Sequence, residues 1–558
     1  MVTAKTKRRF RHIVLILLSI LLLFIAAVVV AANMYVEPVL RKRLHTLIVE
    51  GSDSLYNYHL GSLDADFFGG NAEVSNLQIL VDSNRYYQLK KQNTLPPLVM
   101  QLDMSHAHIR GLSIFSLLFG KKIKIDEIFS KEADIRLIRY AKNKDTATVK
   151  DKQPLWKAIQ PKIKDIVVHQ IRLEGIKLLY KNAEASDAKL QFDRCDALFK
   201  NIRIDSAVVQ DTSRLGYIEN FSFKLNDLKF RTSDSTYKMK AEWITYNSAQ
   251  RLLQIDSFKL QPTLKEDERN DTLRKSWYTI MLDKVSFLGL RLDRYLRLDR
   301  AEADSVVFQN LVLSIFQDRK GLKNYASKIG HYPHQLLMKV GAVIDIKKII
   351  TRKMQVQFTE RHETTREEAT IQLNDINLTV DNIVNDSVLI KKNAVSTAQA
   401  EGKIIGSPIK ALFRFYLDSA EGRFDMSGHI GSVTAAQINP IAMALSNIVV
   451  PSVQITSIDF FVKGEDFNAT ASVQMLYNNL SLVLRKRNEE TGTNSTRKFL
   501  TKILNRFALY SSNPNSGTIR KAEGVKVARL TTQSFFGIIW KAVFAGMQRI
   551  MLKSGQVG

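Results

Sequence analysis

Phe223-Lys-Leu-Asn-Asp-Leu-Lys-Phe230 and Ile371-Gln-Leu-Asn-Asp-Ile-Asn-Leu378 are near-copies of one pattern. In each, apolar residues alternate with polar ones on both sides of an Asn-Asp pair, the two-residue period of a strand with one apolar face. We read the pattern as two alternating strands flanking an Asn or Asp that is followed by an aliphatic residue. Ser75-Asn-Leu-Gln-Ile79 and Phe308-Gln-Asn-Leu-Val-Leu313 are degenerate copies. Their spacing is irregular, unlike that of a propeller. Phe424, Met426, Gly428 and Ile430 alternate with polar residues in the same way, as do Ala469, Ala471, Val473, Met475 and Tyr477. The body of the chain is therefore expected to be mainly β.

At 558 residues the chain exceeds one compact core, so it forms several domains or one elongated, repetitive architecture. A hydrophobic fraction of 45% with 24% charged residues excludes wholesale disorder. Only 11 Pro and 25 Gly occur, so elements are long and turns fall to Asn, Asp and Ser. Lys and Arg exceed Asp and Glu by 81 to 55, a net charge of +26. These cations are scattered through strand-like segments beside acids rather than gathered in a module, which argues against nucleic acid; anionic lipid headgroups account for the excess equally well. Cys195 is the sole cysteine, so no internal disulfide and no cysteine-based zinc site can form.

Ile13 to Ala32 is an uncharged run of 20 residues, about 30 Å as a helix and the thickness of a bilayer core. Lys5, Lys7, Arg8, Arg9 and Arg11 precede it without an acid, which puts the N-terminus in the cytoplasm and the body outside; Arg41, Lys42 and Arg43 oppose this weakly. A cleaved signal peptide is the alternative, with small residues at Val30-Ala31-Ala32, but its apolar core is typically about 7–15 residues, shorter than this run. Helices are expected over Glu37 to Asn57, Leu112 to Phe119, Gln437 to Asn447, Arg497 to Tyr510 and Ser534 to Leu552. The last carries no acid. Its Phe535, Phe536, Trp540, Lys541, Phe544 and Arg549 are candidates for a membrane interface, and capping the end of a β-structure is the competing role.

No nucleotide-binding, dinucleotide, zinc-protease or serine-elbow motif occurs. His106 and His108 would share one strand face, and His331-Tyr-Pro-His334 forms a second pair, yet neither has a convincing third metal ligand. Glu367-Glu368 lies in a highly charged turn that reads as a solvated loop. No catalytic residue, cofactor or metal is assigned.

Three regions resemble the AsmA-like family of envelope proteins, the AsmA and TamB type. In the first, the apolar helix and a basic helix precede Tyr58-His-Leu-Gly-Ser-Leu-Asp-Ala-Asp66 and Val74-Ser-Asn-Leu-Gln-Ile79. In the second, Leu112 to Phe119 precedes Lys121-Lys-Ile-Lys-Ile-Asp-Glu-Ile128 and Ala133-Asp-Ile-Arg-Leu-Ile-Arg139. The third, Glu421 to Leu484, holds an Asn439-Pro440 helix and ends in Met475-Leu-Tyr-Asn-Asn-Leu480. Together they cover about a third of the chain; from Trp156 to Ala420 only the strand-rich texture matches.

The resemblance implies an elongated, curved antiparallel β-sheet groove behind one N-terminal transmembrane helix. Its expected parts are an anchor (1–33), an N-terminal β/helix module (34–150), a central groove (151–420), a C-terminal β module (421–490), and a linker with an amphipathic helix (491–558). Groove-lining candidates are Phe223, Leu225, Ile371, Leu373, Phe424, Met426, Val473 and Met475. The implied protein is a non-enzymatic one of the inner membrane, its body in the periplasm, holding or conducting phospholipid acyl chains. An envelope scaffold for outer-membrane proteins is the alternative, and a membrane-tethered hydrolase a third.

Overall fold

The computed structural model describes residues 44–46, 48–66, 69–92, 94–113, 122–140, 165–183, 188–208, 214–232, 234–264, 276–318, 327–361, 366–446, 448–487, 494–496 and 508–553. The expected transmembrane run and most of the helices expected at Leu112 to Phe119 and Arg497 to Tyr510 lie outside these residues. Among the described residues no helix is long and apolar enough to cross a membrane. The helix expected over Glu37 to Asn57 ends earlier, since a strand begins at Tyr56. The chain divides into two compact units, one of residues 1–258 with 288–299 and the other of 259–287 with 300–558.

The first unit holds β1 (Tyr56–Asp66), β2 (Asn71–Val81), β3 (Leu98–Arg110), β4 (Lys122–Arg139), β5 (Asp165–Asn182), β6 (Leu190–Ile204), β7 (Asn220–Arg231) and β8 (Tyr237–Asn247). Strand β9 (Leu252–Pro262) follows and reaches the division between the units. From β1 to β8 each strand pairs with the next, antiparallel throughout except for the parallel pair β4–β5.

The quoted repeat is here one continuous strand, a correction to the reading of two. Asp227 sits inside β7 with φ 53°, in the left-handed region. Asp375, Asn76 and Asn310 occupy the equivalent places in the other copies, with φ of 54°, 51° and 51°. Asn and Asp tolerate this conformation better than other side-chain-bearing residues, which is why the motif needs them. Only at Asn310, between two separate strands, does the two-strand reading hold.

One left-handed residue shifts the pleat. In β7 the apolar positions run Phe221, Phe223, Leu225, then Leu228 and Phe230, so a step of three replaces one step of two. The same step occurs in β2 (Val74 to Leu77), β6 (Phe192 to Cys195) and β8 (Ala241 to Ile244). Because β6, β7 and β8 take it at facing positions, their register stays constant across it and the apolar face remains on one side.

The second unit holds β10 (Trp277–Leu288), β11 (Arg300–Gln309), β12 (Val312–Asp318), β13 (Val343–Arg361), β14 (Glu368–Val384), β15 (Val395–Ile404), β16 (Ser407–Tyr416) and β17 (Phe424–Ile430). After them come β18 (Val433–Thr434), β19 (Ile448–Gly464), β20 (Asn468–Arg487), β21 (Asn494–Thr496) and β22 (Lys521–Ala528). Strands β11 and β12 pair parallel with β13, and antiparallel pairing runs onward from β13 to β22. Here the repeat behaves differently. Its partner β15 keeps a strict two-residue period, so β14 absorbs the extra residue as a bulge between Asn374 and Asn377. Gly402 lies opposite, and a Cβ there would come within 2.4 Å of Ile376 Cδ1 and 2.9 Å of Asn374 O.

Helix Ala435–Ser446 lies on β14 and β19, and helix Phe535–Met551 on β19, β20 and β22. The latter is capped by Ser534, whose Oγ accepts a hydrogen bond from the Gly537 N–H. It packs closely because the rows below it are small: Gly464, Ala469, Ala471 and Ala522. Its own Gly546 meets Val473, where a Cβ would approach Cγ2 to 2.4 Å.

A buried charged network fixes the start of this helix. Arg529, wholly buried, donates to Asp466 Oδ1 at 3.1 Å and to the carbonyls of Lys328 and Gln533, with its guanidinium 4.2 Å from the Tyr332 ring centroid. Asp466 also accepts from the Gly330 N–H and from Gln335 Nε2. Burial pushes the Tyr332 phenol up to about 12.

Three outcomes are expected in urea unfolding. Gly402→Val should cost about 3 kcal/mol, since the bulge leaves no room for a side chain. Asp466→Ala should cost about 3–5 kcal/mol by stranding a buried guanidinium. Asp227→Asn keeps the left-handed turn and should cost only about 1 kcal/mol, whereas Asp227→Val should cost more. The Asp227 loss also depends on pH. Burial raises that carboxyl, but hydrogen bonds from Lys229 and Lys240 outweigh it and hold it at about 2, below its ordinary 3.8. Its contribution is therefore full above about pH 4 and lost as pH falls toward 2, so wild type and Asp227→Asn should converge over that window.

Candidate functional site: an apolar sheet face

Pairing carries one row of side chains across the eight strands of the first unit: Leu63, Val74, Ala107, Ser130, Leu173, Ala197, Phe223 and Tyr246. A second row runs from Met100 through Leu137, Tyr180, Leu190 and Phe230 to Met239. A third joins Ile109, Ile128, Ile171, Phe199 and Phe221. One face of β3 to β8 is thus almost continuously apolar.

Burial changes along these rows. On β3, β4 and β5 the side chains of Ile109, Ile128, Leu137, Val168 and Ile171 are buried. On β6 and β7, Phe192, Phe199, Phe221, Phe223, Leu225, Leu228 and Phe230 are only half-buried. Aromatic rings touch along this part, Phe199 to Phe221 at 6.2 Å, Phe221 to Tyr246 at 5.0 Å and Phe223 to Tyr246 at 5.9 Å between centroids. Tyr246 is buried, and its phenol is pushed up to about 12 by burial and then by the charge of Asp293 on the short helix Leu292–Leu298. Cys195 lies on the same face between Ile176 and Leu225, where burial pushes its thiol up to about 12. Such a thiol is poorly reactive.

The other face is polar and cross-linked by charge. His106 Nδ1 lies 3.4 Å from Glu73, the two imidazoles meet at 3.3 Å, and His108 Nε2 lies 3.3 Å from Glu127. Glu127 also accepts from Gln170 and Arg172. Burial raises its carboxyl, but the bonds from His108 and Arg172 outweigh this and hold it below the usual carboxylate range. The two histidines share a face, as their spacing implied, with neighbouring side chains engaging both nitrogens of each. Of the second pair, His331 is exposed, while His334 is buried against the Phe415 ring and burial lowers its pKa to about 4. Among the described residues no group of three His, Cys, Asp or Glu is disposed to hold a metal ion. A shallow, open hollow of about 460 Å³ on this polar side is lined by Arg172, Glu174, Asp196, Ser222, Lys224 and Thr245.

The eight groove candidates divide by location. Phe223 and Leu225 stand on the half-open face just described. Ile371 and Leu373 are half-buried on β14 of the second unit. Phe424, Met426, Val473 and Met475 are buried in the core beneath helix Phe535–Met551, leaving no surface there for a ligand. The membrane-interface candidates divide too. Phe535 is 7% exposed, packed on Tyr332, Phe413, Phe415 and Phe424, whereas Phe536, Trp540 and Phe544 are exposed. Lys541 is half-buried and donates to the Ala528 carbonyl at 2.8 Å; Arg549 is exposed. Sequence reading missed Phe199, Phe221 and Tyr246, because only strand pairing sets them beside Phe223; Phe221, two residues before Phe223 in the same alternating run, was the one signal that could have pointed there.

No family model matches the chain, and no curated protein matches it.

Substituting the two adjacent phenylalanines separates core from surface. Phe535→Ala should cost about 3–5 kcal/mol in thermal unfolding and Phe536→Ala under about 0.5 kcal/mol.

Proposed function

We propose that this protein is a membrane-anchored, non-enzymatic lipid-binding protein of the cell envelope, held by Ile13 to Ala32 in the inner membrane with its body in the periplasm. It takes phospholipid acyl chains against the apolar face of β6 to β8. The observation that carries the reading is the half-buried state of Phe199, Phe221, Phe223, Leu225 and Phe230, contiguous large apolar residues that only partly cover one another. An exposed apolar surface of that extent is unfavourable in water and is stabilised by a hydrocarbon occupant. Headgroups stay in water at the edge of this face. The AsmA-like resemblance of the first strands and of Glu421 to Leu484 supports the same reading, and the absence of a nucleotide motif fits passive holding or conduction.

The test is native mass spectrometry of the full chain purified from envelopes without added lipid, paired with alkylation of Cys195, the single cysteine. Bound phospholipid is expected, with Cys195 alkylating faster after delipidation, and Phe223→Glu with Leu225→Glu should abolish both effects. A lipid-free chain with unchanged Cys195 reactivity would overturn the proposal in favour of an envelope scaffold.

A further inference from the structure

Phe536, Trp540 and Phe544 recur every fourth residue of helix Phe535–Met551, so they form one stripe along its outer side. They are 66%, 55% and 42% exposed. Trp540 and Phe544 stack with centroids 6.2 Å apart. The inner side of the same helix is complete without them, since Phe535, Ile538, Ile539, Ala542, Val543 and Ile550 are buried in the core. Two further large apolar residues stand exposed by its start, Phe467 at 62% and Leu530 at 64%; Phe467 O accepts from the N–H of Arg529, the residue before Leu530.

The charges beside this stripe have one predominant sign. The helix carries Lys541 and Arg549 and no acid. Aromatic side chains flanked by cations, with Trp among them, suit the level of lipid headgroups, where rings enter the acyl boundary and cations meet phosphate. A water-facing helix of a folded unit gains nothing from three large aromatics on its outer side.

We infer that the outer side of helix Phe535–Met551 is a membrane-docking surface for a bilayer containing anionic lipid, with Phe536, Trp540 and Phe544 as inserted residues and Lys541, beside the stripe, as a headgroup contact. This site is separate from the face of β6 to β8 and does not depend on that face binding lipid. It gives the second unit its own membrane contact, distinct from the N-terminal run.

The experiment reconstitutes the full chain in phosphatidylcholine vesicles and adds a second, dye-labelled population, either pure phosphatidylcholine or containing phosphatidylglycerol. Co-flotation measures capture of the second population. Capture of the anionic vesicles should exceed that of the neutral ones by about tenfold. Replacing Phe536, Trp540 and Phe544 together with Ser should reduce it to background with the unfolding temperature unchanged, and Lys541→Gln should remove the anionic preference. Should the triple variant unfold, brominated acyl chains in the added vesicles test the intact protein: they should quench a fluorescence component that Trp540→Phe lacks. No capture, capture undiminished in a folded triple variant, or absence of Trp540 quenching would overturn the inference. So would self-association in ultracentrifugation that the triple variant abolishes, which would assign the stripe to a second copy of the chain.

Discussion

Everything in this chain depends on keeping apolar side chains on one side of very long strands. Strands of 17 to 20 residues such as β4, β5, β13, β14, β19 and β20 twist, and a strict two-residue period cannot follow the face over such lengths. Left-handed residues at Asn76, Glu132, Gly175, Asp227 and Asp375 reset the pleat partway along. Where the steps of three face one another, as in β6, β7 and β8, register survives, although only β7 carries a left-handed residue at its step. Where one does not, as at β14 against β15, a bulge and a glycine absorb the difference.

Asp at such a position serves on both faces. Its backbone accepts the left-handed turn, and its carboxylate, turned to the polar side, pairs with lysine from the next strand: Asp227 with Lys240, Asp375 with Lys403. This accounts for basic residues scattered through strands beside acids rather than gathered in a patch. The apolar side has two fates. In the second unit, glycines and alanines lower the surface so that helix Phe535–Met551 seals it; in the first, aromatic side chains on β6 and β7 stand half-open.

The strand-rich nature of the body was legible because period-two alternation survives on each side of a reset. Helices Ala435–Ser446 and Phe535–Met551 fell within a few residues of their expected bounds, since their apolar residues recur at helical spacing. The reset itself was misread, because an Asn-Asp pair between alternating runs looks like a turn until the register of its neighbours is known. Whether an apolar strand face is open or sealed was not legible at all. Phe223 and Phe424 sit in similar alternating runs, yet one is half-buried and the other lies under a helix more than a hundred residues away in sequence. Likewise Phe535 and Phe536 differ in fate only through the direction each faces around the helix.

The most direct test of the central claim is photocrosslinking in intact envelopes with a photoreactive phenylalanine analogue placed at 223 or at the neighbouring position 224. The two side chains point to opposite faces of β7. The account predicts phospholipid adducts at 223 and none at 224. Adducts at neither position, or equally at both, would contradict it.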